Sequence, residues 1–501
     1  MRRLTCYLLH SGQPSAQRLL ARVPRLKPYV SSNAVGADDM VIRFGSSSES
    51  DPATGNVFNS NAAIQRTSSK LAMARLLRRV GVRFATKEGS DSNGDGPRFT
   101  RQYRVPLFDL TPLACFRADP EEMWINKRLK KVSDGFREVS FTEEKVTMRV
   151  IHLAMRALHA LGLDFGLVSI GMTQKGVLHV LDVSSVPVLQ GRIADLYAKA
   201  IEDYIEKEEN AKRAGVSANH VMLGTDVEVM LRNAAGKMVL ASNYFPRAGR
   251  VGCDDRSVQF DGKRLPLMEL RPEPETNPLQ LVANLRDTMQ EAARVIARPQ
   301  VEWRAGSMPF RPYCTGGHIH FSNVPFSRRL VCALDNYVGL PAMLVEDSAT
   351  ASLRRPRYGF LGDVRMKDYG GFEYRTPASF VVDADVTAAL FCLAYIVAVH
   401  HRELPLADLY APARQMDFYK SNKENLYALA ERNFAHIRQV STYERYRDYI
   451  APLLTMISQR RSWDEGVDVK QVWGIATPTA RTVAQRRGAR RTARSNVRVF
   501  G

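Results

Sequence analysis

The sequence predicts an α+β protein: a strand-rich sheet followed by helices in the second half, behind a first half of alternating strands and helices. Three observations carry this. Four segments hold two reactive polar side chains two residues apart among apolar ones: Asp226-Val-Glu228, Glu269-Leu-Arg271, His318-Ile-His320 and Glu373-Tyr-Arg375. In a strand, residues i and i+2 share a face, so each pair points one way and its apolar neighbours the other. Second, Pro278–Ala297 carries Leu279, Val282, Leu285, Met289 and Ala293 at helical spacing, and Val386–Val399 is a continuous apolar run. Third, 501 residues exceed what one core supports, so two or three domains are expected.

In the first ~210 residues, Met40–Phe44 and Tyr103–Phe108 read as strands. Asn61–Val80 reads as a helix with Ala62, Leu71, Ala74 and Leu77 on one face. Phe84–Arg101, rich in Gly, Ser, Asp and Lys, reads as a loop. Val146–Leu161 is an amphipathic helix, Phe165–Ile170 and Val177–Val183 form a hairpin, and Ile193–Ala211 closes the domain. A boundary is expected at Gly215, giving a domain over 1–213 and a second over 216–476.

The second domain begins with Val221–Leu231, where Leu223, Val227, Val229 and Leu231 face away from Asp226 and Glu228. Strands continue to Arg271 and again over Val301–Phe321; a helix covers Arg328–Val345, and helices dominate after Pro377. Asp383 or Asp385 would cap the apolar helix over Val386–Val399, which is shorter than the ~20 residues a membrane span needs.

The net charge of +19 points to a polyanionic ligand such as ATP or nucleic acid. Part of it lies in a tail over 477–501, where Arg481–Gly501 holds seven arginines and no acid. That tail is expected to be disordered, or to tether nucleic acid or a partner. The six scattered cysteines include no Cys-x-x-Cys, against a zinc site or a secreted disulfide scaffold. The basic-then-apolar start is too short for a signal peptide, so a soluble, cytoplasmic protein with no membrane contact is expected.

The chemistry follows from the four pairs. Two carboxylates at i, i+2 on an apolar strand are costly to bury unless a cation offsets them. Alone, Glu269 beside Arg271 also reads as a structural ion pair. In Gly316-Gly-His-Ile-His320 the glycines permit close approach and two imidazoles project together, as acceptors for metal or donors to an anion. Arg354, Arg355 and Arg357 form a basic cluster suited to a triphosphate, or an ordinary solvated loop. His400-His401 reads as structural. No P-loop, Gly-x-Ser-x-Gly or kinase signature is present.

These motifs, in this order, resemble the carboxylate–amine ligases related to glutamine synthetase and glutamate–cysteine ligase, above all the type 2 family carried by tailed phages. The likeness covers roughly residues 216–400. It rests on Leu223-Gly-Thr-Asp-Val-Glu228, Val251-Gly-Cys-Asp254, Glu269-Leu-Arg-Pro-Glu-Pro274, Ala305-Gly-Ser-Met-Pro309, Gly316-Gly-His-Ile-His320, Leu334-Asp-Asn-Tyr337, Arg354-Arg-x-x-Tyr-Gly359 and Gly371-Phe-Glu-Tyr-Arg-Thr-Pro377. The resemblance implies an antiparallel sheet curved into a half-barrel and ATP-dependent amide formation through an acyl-phosphate. It implies that Asp226, Glu228, Glu269 and Glu373 hold magnesium, and that Arg271 and Arg375 grip the γ-phosphate or acyl-phosphate. His318 and His320 would ligate metal or orient the carboxylate, and Arg354, Arg355 and Arg357 would contact the nucleotide. The implied substrates are an amine and an amino acid, peptide or protein carboxylate, in the host cytoplasm if the chain is phage-encoded.

The first half resembles an ATP-grasp ligase in Val41-Ile-Arg-Phe-Gly45, Asn59-x-x-Ala62, Ser69-Lys70, Gln102-Tyr-Arg-Val105, Leu161-Gly-Leu-Asp-Phe-Gly166 and Val180-Leu-Asp-Val-Ser-Ser-Val-Pro187. It departs at the metal positions: Asp182 and Ser184 replace Glu and an amide, and Ser169 replaces an acid. A hydroxyl is a much poorer magnesium ligand than a carboxylate. A degenerate domain that binds a partner or substrate without catalysing is therefore expected. The competing reading of the whole chain is an inert ligase fold that holds nucleic acid or a virion through its basic surface.

Overall fold

The computed structural model describes residues 4–45, 50–52, 55–85, 97, 99–118, 122–125, 128–131, 135–214 and 220–476. The arginine tail, the boundary at Gly215 and most of the loop expected over Phe84–Arg101 lie outside the described residues. The chain divides into two compact units. The first holds 1–217 with the short segments Ser327–Arg329 and Asp408–Met416; the second holds the rest.

In the first unit, β1 (Cys6–His10), β2 (Leu26–Pro28), β3 (Met40–Phe44) and β4 (Asn56–Phe58) form a parallel sheet in the order β2-β1-β3-β4. All five residues of β3 are buried, as a parallel strand covered on both faces requires. A second, antiparallel sheet comprises β5 (Phe99–Phe108), β6 (Thr111–Pro112), β7 (Cys115–Ala118), β10 (Arg137–Val139), β11 (Phe165–Thr173) and β12 (Leu178–Ser184), ordered β10-β7-β5-β11-β12 with β6 on β5. The strands β8 (Glu122–Ile125) and β9 (Arg128–Lys131) pair only with each other. Helices cover Lys145–Ala160 and Gly191–Ala214.

Two local expectations change here. The helix over Asn61–Val80 is two helices, Asn61–Thr67 and Lys70–Arg79. Ser69 caps the second by accepting from the Ala72 amide, so the serine pair ends one helix and starts the next. The break rotates the buried face to Met73, Ala74, Leu76 and Leu77 and leaves Leu71 exposed. The strand expected at Tyr103 starts earlier, at Phe99.

The second unit is antiparallel throughout. One sheet runs β13 (Met222–Thr225), β19 (Ile319–Ser322), β21 (Phe372–Tyr374), β20 (Val364–Met366). The other runs β15 (Met238–Val239), β14 (Val227–Arg232), β17 (Leu267–Leu270), β16 (Val251–Cys253), with β18 (Glu302–Arg304) also on β14. Only Asp226 separates β13 from β14, so one run of chain joins the two sheets into a curved half-barrel surface. Leu223, Val227, Val229 and Leu231 are fully buried on its packed side. Behind it lie the helices Pro278–Ile296 and Ala384–His400. The first buries Leu281, Leu285, Met289 and Ala293; Leu279 and Val282 are only half-buried, so the apolar stripe is turned from the one expected. Asp383 caps the second by accepting from the Asp385 and Val386 amides, and its flat apolar composition matches burial on all sides. The helix expected over Arg328–Val345 carries a π-helical turn at Asp335–Gly339, just before Pro341. No helix among the described residues is long and apolar enough to cross a membrane. All six cysteines are buried free thiols.

Candidate active site

Strand register brings the polar pairs together in the second unit. Glu228 stands opposite Glu269 on β14 and β17, and Gly224 opposite His320 on β13 and β19. His320 stands opposite Glu373 on β21. Like charges directly opposite one another destabilise a sheet, so the Glu228–Glu269 placement demands offsetting charge. Asp226, Glu228, Glu269 and Glu373 are 8%, 1%, 7% and 1% exposed, far less than carboxylates tolerate without partners.

The partners are specific. His318 Nδ1 lies 2.8 Å from Asp226 Oδ1 and 3.1 Å from Glu373 Oε1, while its Nε2 meets the Tyr358 hydroxyl. His320 Nε2 lies 3.0 Å from Asp226 Oδ1, and its Nδ1 is 3.1 Å from the Tyr369 hydroxyl. Glu228 accepts from Arg256, from the Gly316 amide at 2.9 Å and from the Tyr358 hydroxyl at 3.1 Å. Glu373 faces Lys367 Nζ at 2.7 Å and Arg375 Nε at 3.1 Å. Arg271 donates to Glu269 and, through Nη1, to the carbonyls of Arg247 and Gly249, both at 3.1 Å. Gly316 is required here: a Cβ would stand 2.3 Å from His318 Nε2 and 2.7 Å from the Tyr358 hydroxyl.

The charges shift one another. Burial alone would raise Asp226, but the charge and hydrogen bonds of His318 and His320 hold its carboxyl well below the usual range. Burial likewise opposes His318, which Asp226, Glu228 and Glu373 nevertheless raise above an ordinary imidazole. Glu373 is lowered, its burial outweighed by His318 and Arg375. Glu269 goes the other way: burial, then the charges of Asp226 and Glu228, push it up to about 8 despite Arg271.

Two overlapping triads fit a cation. Asp226, His320 and Glu373, and Asp226, Glu269 and His318, each offer ligand atoms within 4.8 Å of one another. Among the described residues these are the groups of this kind, and both lie in the second unit. Glu373 Oε2 and His320 Nε2 are buried without a hydrogen bond of good geometry, although Lys367 and Asp226 stand within ion-pair distance. A bound ion would give both atoms a partner in better geometry.

The basic cluster is corrected. Arg354 and Arg355 are fully buried rather than presented on a solvated loop. Arg354 donates to the carbonyls of Thr376, Arg375 and Pro377, and Arg355 pairs at 2.5 Å with the equally buried Glu346. Arg354 therefore braces the backbone that follows β21, and Arg355 holds Glu346, whose other oxygen accepts from the Ala378 amide. Arg357 alone of the three is exposed. His400 and His401 are buried at the end of their helix, the latter within 3.0 Å of the Ala398 carbonyl.

Sequence reasoning missed Arg256, Lys367 and the role of Tyr358. Arg256 binds Glu228, Asp254 and the Cys314 carbonyl. Asp254-x-Arg256 repeats the two-residue spacing of the other pairs and was visible in principle. Tyr358 carries no such signal. Its ring lies under Arg256, Arg354 and Arg375, at 5.2, 4.8 and 5.0 Å, and its hydroxyl touches Glu228 and His318 and lies 3.3 Å from Arg375.

A family model described as phage phiEco32-like COOH.NH2 ligase-type 2 matches residues 223–475. No curated protein matches. Solved structures that the chain is similar to include the ATP-grasp ligase PsnB complexed with a minimal precursor, at 11% identity and TM-score 0.30, covering 42% of this chain and 100% of that one. Others are D-alanine–D-alanine ligase from Bacillus anthracis, at 10% identity and TM-score 0.31, covering 42% and 99%, and the macrocyclase MdnB from Microcystis aeruginosa, at 12% and 0.27, covering 40% and 99%.

Proposed function

We propose a mechanism for a chain that belongs to the phage phiEco32-like COOH.NH2 ligase-type 2 family, and is thus a carboxylate–amine ligase: ATP activates the carboxylate in the second unit. The observation that carries this reading is the convergence of four buried carboxylates and two imidazoles, five of these six side chains forming two overlapping triads of ligand atoms.

In this scheme a carboxylate oxygen attacks the γ-phosphorus of ATP and ADP departs. The amine nitrogen then attacks the acyl carbon of the acyl-phosphate, inorganic phosphate leaves and one proton is lost. Asp226, Glu269 and Glu373, with His318 and His320 beside them, would hold magnesium, which supplies positive charge to offset that of the phosphates. The imidazole in each triad also admits softer divalent ions. Glu228, expected among the metal ligands, stands outside both triads and would instead hold Arg256 and Tyr358 in place. Arg256 and Arg375 would meet the charge on the transferring phosphoryl group. Arg271, expected to grip the phosphate with Arg375, is tied to Glu269 and two carbonyls and would instead orient that carboxylate.

The first unit, in this reading, binds substrate or partner without chemistry. Ser169, Asp182 and Ser184 lie half-buried on β11 and β12, one carboxylate among two hydroxyls.

The test is ADP release from ATP with magnesium or manganese, against pooled carboxylates and amines, with Glu228→Gln and Glu373→Gln as controls. Turnover that needs both a carboxylate and an amine and is lost in both variants supports the scheme. Retained turnover in both variants sinks it.

A further inference from the structure

Positive charge gathers without an acidic counterpart on one helix of the first unit. Between Asp51 and Glu88 the chain carries seven lysines and arginines and no acid. Three of them, Arg75, Arg78 and Arg79, sit on the helix Lys70–Arg79, spaced three and four residues from Arg75. At ~3.6 residues per turn they fall within a sector of about 100°. All three are exposed, on the side away from Met73, Ala74, Leu76 and Leu77, which fill the core.

Other cations of this unit are matched. Arg22 faces Asp195, Arg25 faces Glu209, Arg192 faces Glu138, and Arg117 faces Glu143 and Glu144. Among the described residues no carboxylate stands within ion-pair distance of Arg75, Arg78 or Arg79. Arg78 donates to the Phe84 carbonyl at 3.1 Å. Arg156, from the helix Lys145–Ala160, donates to the Val80 carbonyl and so brings a fourth guanidinium to the same end of the helix. Like charges three and four residues apart destabilise a helix, and no acid in its first turn offsets them. Arg78 and Arg79 gain from the negative C-terminal end of the helix; Arg75, a turn further in, gains little from it.

We propose that this arginine face binds the phosphate backbone of duplex nucleic acid without reading its sequence. Charge density favours that occupant. The helix has 10 residues. It is about 15 Å long, and a duplex presents roughly nine phosphates over that length. A polypeptide carries at most one carboxylate per residue and must be ordered before it can present them in a row. An anionic membrane asks for an apolar face to insert, and the apolar face of this helix is buried; on the arginine side Leu71 is the exposed apolar side chain. Guanidinium forks also match phosphate oxygens two at a time, and backbone contacts of this kind carry no sequence information.

The test is fluorescence anisotropy of a labelled duplex of roughly 20 base pairs with the full chain, at salt between ~50 and ~200 mM. Each phosphate contact adds about 0.9 to the fall of log affinity with log salt. Arg75→Gln combined with Arg79→Gln, which keeps a comparable helix former at both positions, is expected to reduce that slope by ~2 and to weaken binding at least ~10-fold at the lowest salt. Arg75→Lys combined with Arg79→Lys is expected to keep the slope, because counterion release follows charge. Arg78 is left in place because it also holds the Phe84 carbonyl. Thermal melts check that each variant folds. Two duplexes of unrelated sequence are expected to bind alike. Poly-glutamate and phosphatidylserine vesicles are the competing probes. An unchanged slope in the glutamine variant, which would assign the binding to the arginine tail, overturns the proposal. So does a failure to bind duplex, a strong preference for one duplex, or tighter binding of poly-glutamate or of the vesicles.

Discussion

The hairpin β11–β12 of the first unit, apart from one bulge at Leu181 on β12, follows the same two-residue alternation as the curved sheet of the second, yet the two use it oppositely. In the hairpin, Val168, Ile170, Val180 and Val183 fill the core, while Ser169 and Asp182, paired in register, lie half-buried. Nothing there forces a cation. In the second unit the polar face is itself buried, and each carboxylate is held by imidazole, guanidinium or amide. A polar side chain costs little where water reaches it; in an interior it demands a specific partner. Buried polarity therefore sets the second unit's sheet apart, and alternation alone does not.

Several substitutions would break or sharpen this contrast. The largest effect is expected from Arg355→Met, which strands Glu346 in the interior and should cost about 3–5 kcal/mol in chemical denaturation. A change under ~1 kcal/mol would mean that Glu346 finds another partner. Glu373→Gln removes one charge from the triad shared with Asp226 and His320. Its turnover is expected to fall roughly 10²–10³-fold, with a melting temperature near that of the parent chain. Tyr358→Phe keeps the ring between its three arginines and deletes only the hydroxyl that touches Glu228 and His318. The loss should be about 10–100-fold in divalent-ion affinity, measured by titration calorimetry.

pH should separate the two sheets as well. Glu269, raised to about 8 by burial and by Asp226 and Glu228, keeps its proton in the folded chain where an unfolded carboxyl has lost it. The folded state thus binds more protons between the ordinary carboxylate range and about pH 8, so metal-free stability is expected to fall as pH rises through that window. An ion must displace the same proton, so ion affinity should rise with pH and level off above about 8. Glu269→Gln should flatten both trends. The smallest effect is expected from Asp182→Asn in the first unit: stability within about 0.5 kcal/mol and turnover unchanged. A large loss of turnover there would overturn the non-catalytic reading of that unit.

What could be read from residues follows their range of interaction. The strand around Val227 and Val229, the hairpin over Phe165–Ser184, the helix over Lys145–Ala160 and the Asp383 cap were legible because each depends on neighbours a few positions away. The helix break at Ser68-Ser69 was decided by one hydroxyl competing with helix continuation, and the turned stripe on Pro278–Ile296 by what packs against it. The facing of the four polar pairs was likewise local, since strand period alone sets it. By itself, then, the sequence determined which side chains share a face. The tertiary structure alone decided which faces meet. Register set Glu228 against Glu269 and His320 against Glu373. Folding buried Arg354 and Arg355 and carried Arg256 and Tyr358 to Glu228 across 28 and 130 residues of chain. Those contacts join positions far apart in the chain, and no local periodicity encodes them.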